Sequence, residues 1–199
     1  MTTIAVLGKG RVGGALADGL VRAGHQVAVG DSTPGSAAEA IGSAAQIVIN
    51  ATPGEDALER LSALREPLRG KILIDVSNAT LPGPEGLPAE LMYPGSSVAE
   101  QLQAALPDTH VVKTLNTMLY SVMAAPGSLS QPPTVFVSGE DPQAKQVVRA
   151  LLGDLGWQPE QVMDLGGVQT ARATEAVILL VPHVIRAGGF APFAVSIAR

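Results

Sequence analysis

Two periodicities alternate along the first part of the chain. Thr3-Ile4-Ala5-Val6-Leu7 is a short, continuous apolar run, the pattern of a strand buried on both faces. Val12 to Ala23 follows with Val12, Leu16, Leu20 and Ala23 at helical spacing, and Gly24 supplies a C-terminal stop. The alternation continues with a strand over His25–Val29, an alanine-rich helix over Ser36–Ala45 and a strand over Gln46–Asn50. A helix over Glu55–Leu64, with Leu58, Leu61 and Leu64 on one side, then leads to a strand over Lys71–Val76. Strand–helix–strand repetition at this spacing predicts parallel pairing through right-handed crossovers.

The rhythm breaks between Ala79 and Ser97. Pro82, Gly83, Pro84, Gly86, Pro88, Pro94 and Gly95 predict a largely irregular loop, long enough to be either a ligand wall or a plain linker. Regular structure resumes with a helix over Val98–Ala105 and strands at His110–Thr114 and Thr134–Ser138. Asp141-Pro142 opens a helix with a capping carboxylate and a proline in its first turn, and Gly156 ends it. A last strand over Gln161–Leu165 and an apolar helix from about Thr170 to Ala187 complete the chain. The predicted fold is α/β, a doubly wound, mainly parallel Rossmann sheet over residues 1–165 with a small C-terminal helical part over 166–199.

Composition narrows the function. The 199 residues are 46% hydrophobic and 16% charged, which suits one compact domain, or one with a small appendage. A net charge of −5 and few aromatics (one Trp, two Tyr, three Phe) argue against a nucleic-acid partner, which would call for clustered Lys and Arg. With no cysteine, disulfides, thiolate metal sites and cysteine nucleophiles are excluded. The longest apolar run, Ala176–Ile185, is broken by Pro182 and His183 and is too short to cross a bilayer. The first strand follows Met1 directly, with no basic leader, so the expected setting is cytoplasmic, with no membrane partner.

The chemistry concentrates at one loop. Gly8-Lys9-Gly10-Arg11-Val12-Gly13 matches GxGxxG directly after a strand and at the start of a helix, the context that makes the match specific for a dinucleotide. Gly8 allows the tight turn, Gly10 lets a diphosphate approach the backbone, and Gly13 lets helix and strand pack closely. Asp31, at the end of the second strand, has the position of the acid that takes the ribose hydroxyls, although it also suits a plain turn or cap. A carboxylate there favours NAD over NADP, and no Lys or Arg lies between Arg22 and Arg60, while Arg11 could still reach a phosphate. Ala51, Thr52 and Pro53, Ser77-Asn78, and Thr114–Thr117 with Asn116 follow later strands, where parallel sheets hold their ligands.

Of the three histidines, His25 and His110 fall at the wrong ends of their strands, and His183 lies on the last helix. No nucleophilic triad or metal-ligand spacing stands out, and no catalytic residue is assigned. An enzyme of this kind would work by aligning two redox partners for direct hydride transfer. Rival readings are an imine or hydroxy-acid reductase using His183 as proton donor, and a non-catalytic dinucleotide-binding regulator.

The chain resembles the small NADP oxidoreductases dependent on coenzyme F420 and the related reductase domain of the membrane ferric reductases. The resemblance rests on Ile4–Gly13, Ala23-Gly24-His25-Gln26-Val27, Ile74-Asp75-Val76-Ser77-Asn78, Val111–Thr117 and Val135-Phe136-Val137-Ser138-Gly139. It implies NAD(P) as cofactor and F420 as redox partner over the nicotinamide, with homodimers usual. Carried over, it places the diphosphate at Gly8–Gly13, the ribose at Asp31 and Ser32, and the nicotinamide near Asn78 and Asn116. Two departures matter: the family tends to show a Ser-Arg pair for the 2′-phosphate where this chain has Asp31-Ser32, and a proline where it has Ala79.

Overall fold

A computed structural model describes residues 1–31, 33–42, 45–83 and 85–198. Ser32, one of the expected ribose residues, lies outside the described residues. Strands β1 (Thr3–Leu7), β2 (Gln26–Gly30), β3 (Ile47–Asn50) and β4 (Ile72–Asp75) pair in parallel. They alternate with helices α1 (Arg11–Arg22), α2 (Pro34–Gly42), α3 (Ala57–Ser62) and α4 (Arg65–Leu68). Then come a hairpin of β5 (Thr80–Pro82) and β6 (Pro88–Leu91), helix α5 (Val98–Ala105), β7 (His110–Thr114) and α6 (Tyr120–Met123). Strand β8 (Val135–Ser138), helix α7 (Pro142–Asp154), strand β9 (Val162–Gly166), α8 (Ala171–Ala176) and α9 (Val181–Gly188) follow. The main sheet has seven strands in the order β2-β1-β3-β4-β7-β8-β9.

Two apolar layers sandwich this sheet, as the uninterrupted apolar strands require. Ile4, Val6, Ile49, Ile74, Val112 and Val137 face α1, α6 and α7. Ala5, Leu7, Val48, Leu73 and Val111 face α2, α3, α5 and the start of α8. Trp157 closes the first layer, buried, with its indole N–H donated to the Met123 carbonyl at 3.0 Å. The predicted Asp141 cap is present: its Oδ1 accepts the Ala144 N–H at 2.7 Å, with Pro142 in the first turn.

Locally, the structure adds to the sequence pattern in two places and departs from it in one. Outside Thr80–Pro82 and Pro88–Leu91, which pair as an antiparallel hairpin, the described residues of 79–97 are irregular, as expected. Pro82 and Pro88 sit at strand ends, where the missing N–H does no harm, and the turn closes through Gly86 N–H to the Gly83 carbonyl at 2.9 Å. The expected single helix over 170–187 is broken into α8, a 3-10 turn over Val177–Leu180, and α9. Pro182 lacks the N–H that would continue an α-helix, so helical hydrogen bonding restarts at α9 with this proline in its first turn. Finally, β8 runs antiparallel to β7, because the intervening stretch, with the short α6 and a 3-10 turn over Pro126–Ser128, forms no crossover helix and returns the chain from the same edge. Beyond α9 the chain runs back along the sheet's ligand edge, with Leu119 N–H donated to the Phe193 carbonyl at 2.9 Å and Thr134 N–H to the Val195 carbonyl at 2.9 Å.

The start of α1 is pressed against the loop that precedes it. A Cβ on Gly13 would lie 1.9 Å from the Gly8 carbonyl oxygen, whereas one on Gly14 would meet nothing within 4 Å. Gly13→Ala is therefore expected to cost about 1–3 kcal/mol of folding stability through overpacking. Gly14→Ala should instead stabilise α1 by up to about 1 kcal/mol through helix propensity. Urea unfolding of both variants checks the pair, and a Gly13→Ala protein as stable as Gly14→Ala contradicts this packing.

Candidate functional site

Strands β1, β2, β3, β4 and β7 run parallel and end on one edge of the sheet, and a cleft of about 670 Å³ runs along it. The glycine loop forms one end. Gly8 adopts φ 115°, and a Cβ there would lie 2.5 Å from the Ala51 carbonyl oxygen, so the turn tolerates no side chain. Gly10 differs: a Cβ on it would enter open space, leaving the backbone approachable at the N-terminus of α1. That is the geometry a diphosphate needs, because the first-turn N–H groups are unpaired and the helix dipole favours an anion.

The cleft gathers Gly8, Lys9, Gly10, Arg11, Val12, Asp31, Ala51, Thr52, Pro53, Asn78 and Asn116 along its walls. Gly13 is not among the lining residues; it sits beneath the loop and lets it form. Lys9 Nζ approaches Asp31 Oδ2 at 3.2 Å, and Asp31 Oδ1 accepts the Thr33 N–H at 2.9 Å and the Thr33 hydroxyl at 2.5 Å. The Thr33 hydrogen bonds, helped by Lys9, lower the Asp31 carboxyl to about 2. Arg11 lies with its guanidinium 5.5 Å from the centre of the Tyr120 ring, a cation–π distance.

Asn78 and Asn116 form a reciprocal pair at the ends of β4 and β7. Asn116 Nδ2 donates to Asn78 Oδ1 at 2.9 Å, and Asn78 Nδ2 donates to the Asn116 carbonyl at 3.1 Å. Between β7 and Asn116, Leu115 takes φ 63°, a left-handed conformation costly for a leucine. The twist buries Leu115 in the core while Asn116 lines the cleft.

Beneath this wall lies a buried polar network. Asn50, Asp75 and Lys113 stand side by side across β3, β4 and β7 in register. Lys113 Nζ lies 2.7 Å from Asp75 Oδ2 and 2.8 Å from Glu175 Oε1, and also donates to the Ser77 carbonyl. Asp75 Oδ1 accepts from Asn50 Nδ2 and from the Ser77 hydroxyl, each at 2.8 Å. Glu175, from α8, accepts the N–H groups of Val98 and Ala99 at 2.9 and 3.3 Å, placing a carboxylate on the N-terminus of α5. Burial alone would lower the Lys113 ammonium, but Asp75 and Glu175 more than offset it and raise it. Burial pushes the Glu175 carboxyl above its usual value, and Asp75 adds to the push against the pull of Lys113.

The remaining wall is apolar and was not read from the sequence. Met118, Leu119, Tyr120, Ile178, Val181 and Phe193 close the cleft opposite the strand ends. His183 does not join them; with Glu85 and Arg186 it borders a separate hollow against the β5–β6 hairpin. The largely buried His25 pairs with Asp154 at 3.1 Å and the more exposed His110 with Asp141 at 3.4 Å, both away from the cleft. Among the described residues no acidic or histidine cluster could hold a metal ion, and no helix is long and apolar enough to cross a membrane.

Lys113 partners two carboxylates, so removing it leaves them buried without a counter-charge. Lys113→Met is expected to cost about 3–5 kcal/mol in urea unfolding, and a loss below about 1 kcal/mol contradicts the network. Because the folded-state pKa of Glu175 is raised, its contribution to stability is complete below the ordinary glutamate value. That contribution is lost as pH rises through the raised value. Unfolding free energies measured across this range should fall in the native protein and stay flatter in Glu175→Gln; parallel curves contradict the assignment.

Residues 3–79 match the family model described as NADP oxidoreductase, coenzyme F420-dependent. The metalloreductase STEAP3 of Rattus norvegicus is 30% identical over 88% of this chain, which spans 36% of that protein. An F420-dependent NADP reductase of Methanocaldococcus jannaschii is 28% identical over 66% of this chain and 58% of its own length. The chain thus spans less than two thirds of either of these relatives. A solved structure of a candidate F420-dependent NADP-reductase from Arthrobacter sp. FB24 is 36% identical, covers the whole of both chains and superposes with a TM-score of 0.90. With this agreement along the full length, the chain belongs to the family of NADP oxidoreductases that depend on coenzyme F420.

Proposed function

We propose that this protein is an oxidoreductase that binds NAD(P)(H) along the cleft and exchanges hydride directly between it and a second redox cofactor, coenzyme F420. The observation that carries this reading is the continuity of the cleft. It leads from the open backbone at Gly10, past Asp31, Thr52 and Pro53, to the Asn78–Asn116 pair and the apolar wall of Ile178, Val181 and Phe193. When bound, the nicotinamide and its partner ring supply the two-electron chemistry. The residues of this chain bind, orient and exclude water: the loop backbone and α1 hold the diphosphate, Asp31 holds the ribose, and the paired amides hold the carboxamide end.

An apolar far wall suits a flat ring laid against the nicotinamide, and it keeps water from the transferring atoms. The rival reductase reading required a proton donor, and its one histidine candidate, His183, borders the other hollow. Tyr120 is the lining residue with an ionisable hydroxyl on the apolar side. Homodimerisation is part of this proposal, supported by the exposed Leu180, Phe190 and Ile197 of the C-terminal segment. Sedimentation of the purified protein at micromolar concentration should show a dimer, and a monomer removes that part.

Nucleotide oxidation measured with and without F420 tests the activity. Turnover is expected only when F420 is added, and tight nucleotide binding without turnover contradicts hydride exchange. Gly10→Val should fold normally, since its side chain enters open space, yet lose nucleotide affinity by on the order of a hundredfold or more, because that space is the diphosphate's. Retained affinity in titration calorimetry would move the site elsewhere.

A further inference from the structure

We infer that the ribose end of this cleft selects NAD(H) over NADP(H), with Asp31 as the selecting residue and Lys9 as the residue that moderates the selection. The inference rests on the reading of the cleft as a dinucleotide site. It departs from what family membership alone would suggest, since the family is one of NADP oxidoreductases.

Asp31 directly follows β2 and lines the cleft with the glycine loop. Thr33 occupies its Oδ1 with two hydrogen bonds, which fix the plane of the carboxylate and leave Oδ2 toward Lys9. An ionised carboxylate accepts hydrogen bonds and donates none. The 2′- and 3′-hydroxyls of an NAD ribose are donors that suit it. A 2′-phosphate ester carries roughly −1.5 to −2 charges near pH 7 and offers acceptors instead. It would meet a like charge that cannot be relieved by protonation, because Asp31 is held near 2.

The cations at this edge are too few to reverse that preference. No Lys or Arg occurs from residue 23 to 59, the stretch that leads into and out of Asp31. Arg11 stands over the Tyr120 ring. Lys9 faces Asp31, and both side chains are substantially solvent-exposed, 57% and 39%. Such a pair is weakly held, so Lys9 is free to turn from the carboxylate toward a phosphate. One ammonium offsets one charge; Asp31 and a 2′-phosphate together bring between two and three. Lys9 therefore softens the discrimination against NADP(H) and does not invert it.

Titration calorimetry of the full chain with NADH and with NADPH, for the native protein, Asp31→Asn and Lys9→Ala, tests this. Asparagine keeps the Oδ1 acceptor for Thr33 and removes the charge. The native protein should bind NADH on the order of tenfold more tightly than NADPH. Asp31→Asn should narrow or reverse that ratio by tightening NADPH, and Lys9→Ala should widen it by weakening NADPH. A native protein that binds NADPH as tightly as NADH, or a ratio unchanged by Asp31→Asn, overturns the inference while leaving the dinucleotide site intact. If neither nucleotide binds the native protein, the underlying reading fails and the inference falls with it. Should Asp31→Asn not fold, the native ratio and the Lys9→Ala shift still decide.

Discussion

The buried ion network of Lys113, Asp75 and Glu175 is the constraint on which the rest of the cleft depends. A lysine and two carboxylates excluded from water cost free energy unless each charge is met, and here each is. Satisfying them dictates positions. Asp75 must lie beside Lys113 in register, which sets β4 against β7. The Ser77 carbonyl must turn back toward the ammonium, which shapes the loop carrying Asn78. Glu175 must reach both Lys113 and the first N–H groups of α5, which pins α8 against the sheet. The apolar wall at Val177, Ile178 and Val181 follows immediately in the chain, so both sides of the cleft are referred to the same three charges.

The glycine loop supplies the opposite end by steric exclusion. Gly13 under the Gly8 carbonyl and Gly8 against Ala51 bring α1 close to the tips of β1 and β3. The N-terminus of α1 thereby opens onto the cleft at the strand edge. The cleft passes Asp31 at one side and reaches the Asn78–Asn116 pair at the other. The fold thus sets the glycine loop, Asp31 and the paired amides along one edge.

Much of this frame was legible in the sequence because its signals are local. The apolar run Thr3–Leu7, the spaced glycines and the helical period to Ala23 declare a βαβ start within a few dozen residues. Asp141-Pro142 declares a helix start within two. The ion network was not read, since its members are brought together only by the tertiary fold. A signal was present nonetheless: Asp75 and Lys113 interrupt the apolar strands Ile72–Asp75 and His110–Thr114, where an unpartnered charge would be intolerable. The hairpin at Thr80–Leu91 was hidden by its proline content, because prolines at strand ends look the same in sequence as prolines in a loop. The C-terminal wall has the sequence pattern of one continuous helix because its apolar period survives Pro182, although its hydrogen bonding does not.

One continuous cleft, open at Gly10 and walled by Val177, Ile178, Val181 and Phe193, is expected to receive a dinucleotide lengthwise. A crystal structure of the protein with NADH bound tests it most directly. The diphosphate should lie against the backbone of Gly10 and the first turn of α1, with the adenosine ribose at Asp31. The nicotinamide should lie between Asn116 and Ile178, with Lys113 still bonded to Asp75 and Glu175. A nucleotide seated instead in the hollow beside His183 and Arg186, or one that enters the cleft only after the Glu175 contacts are broken, would contradict it.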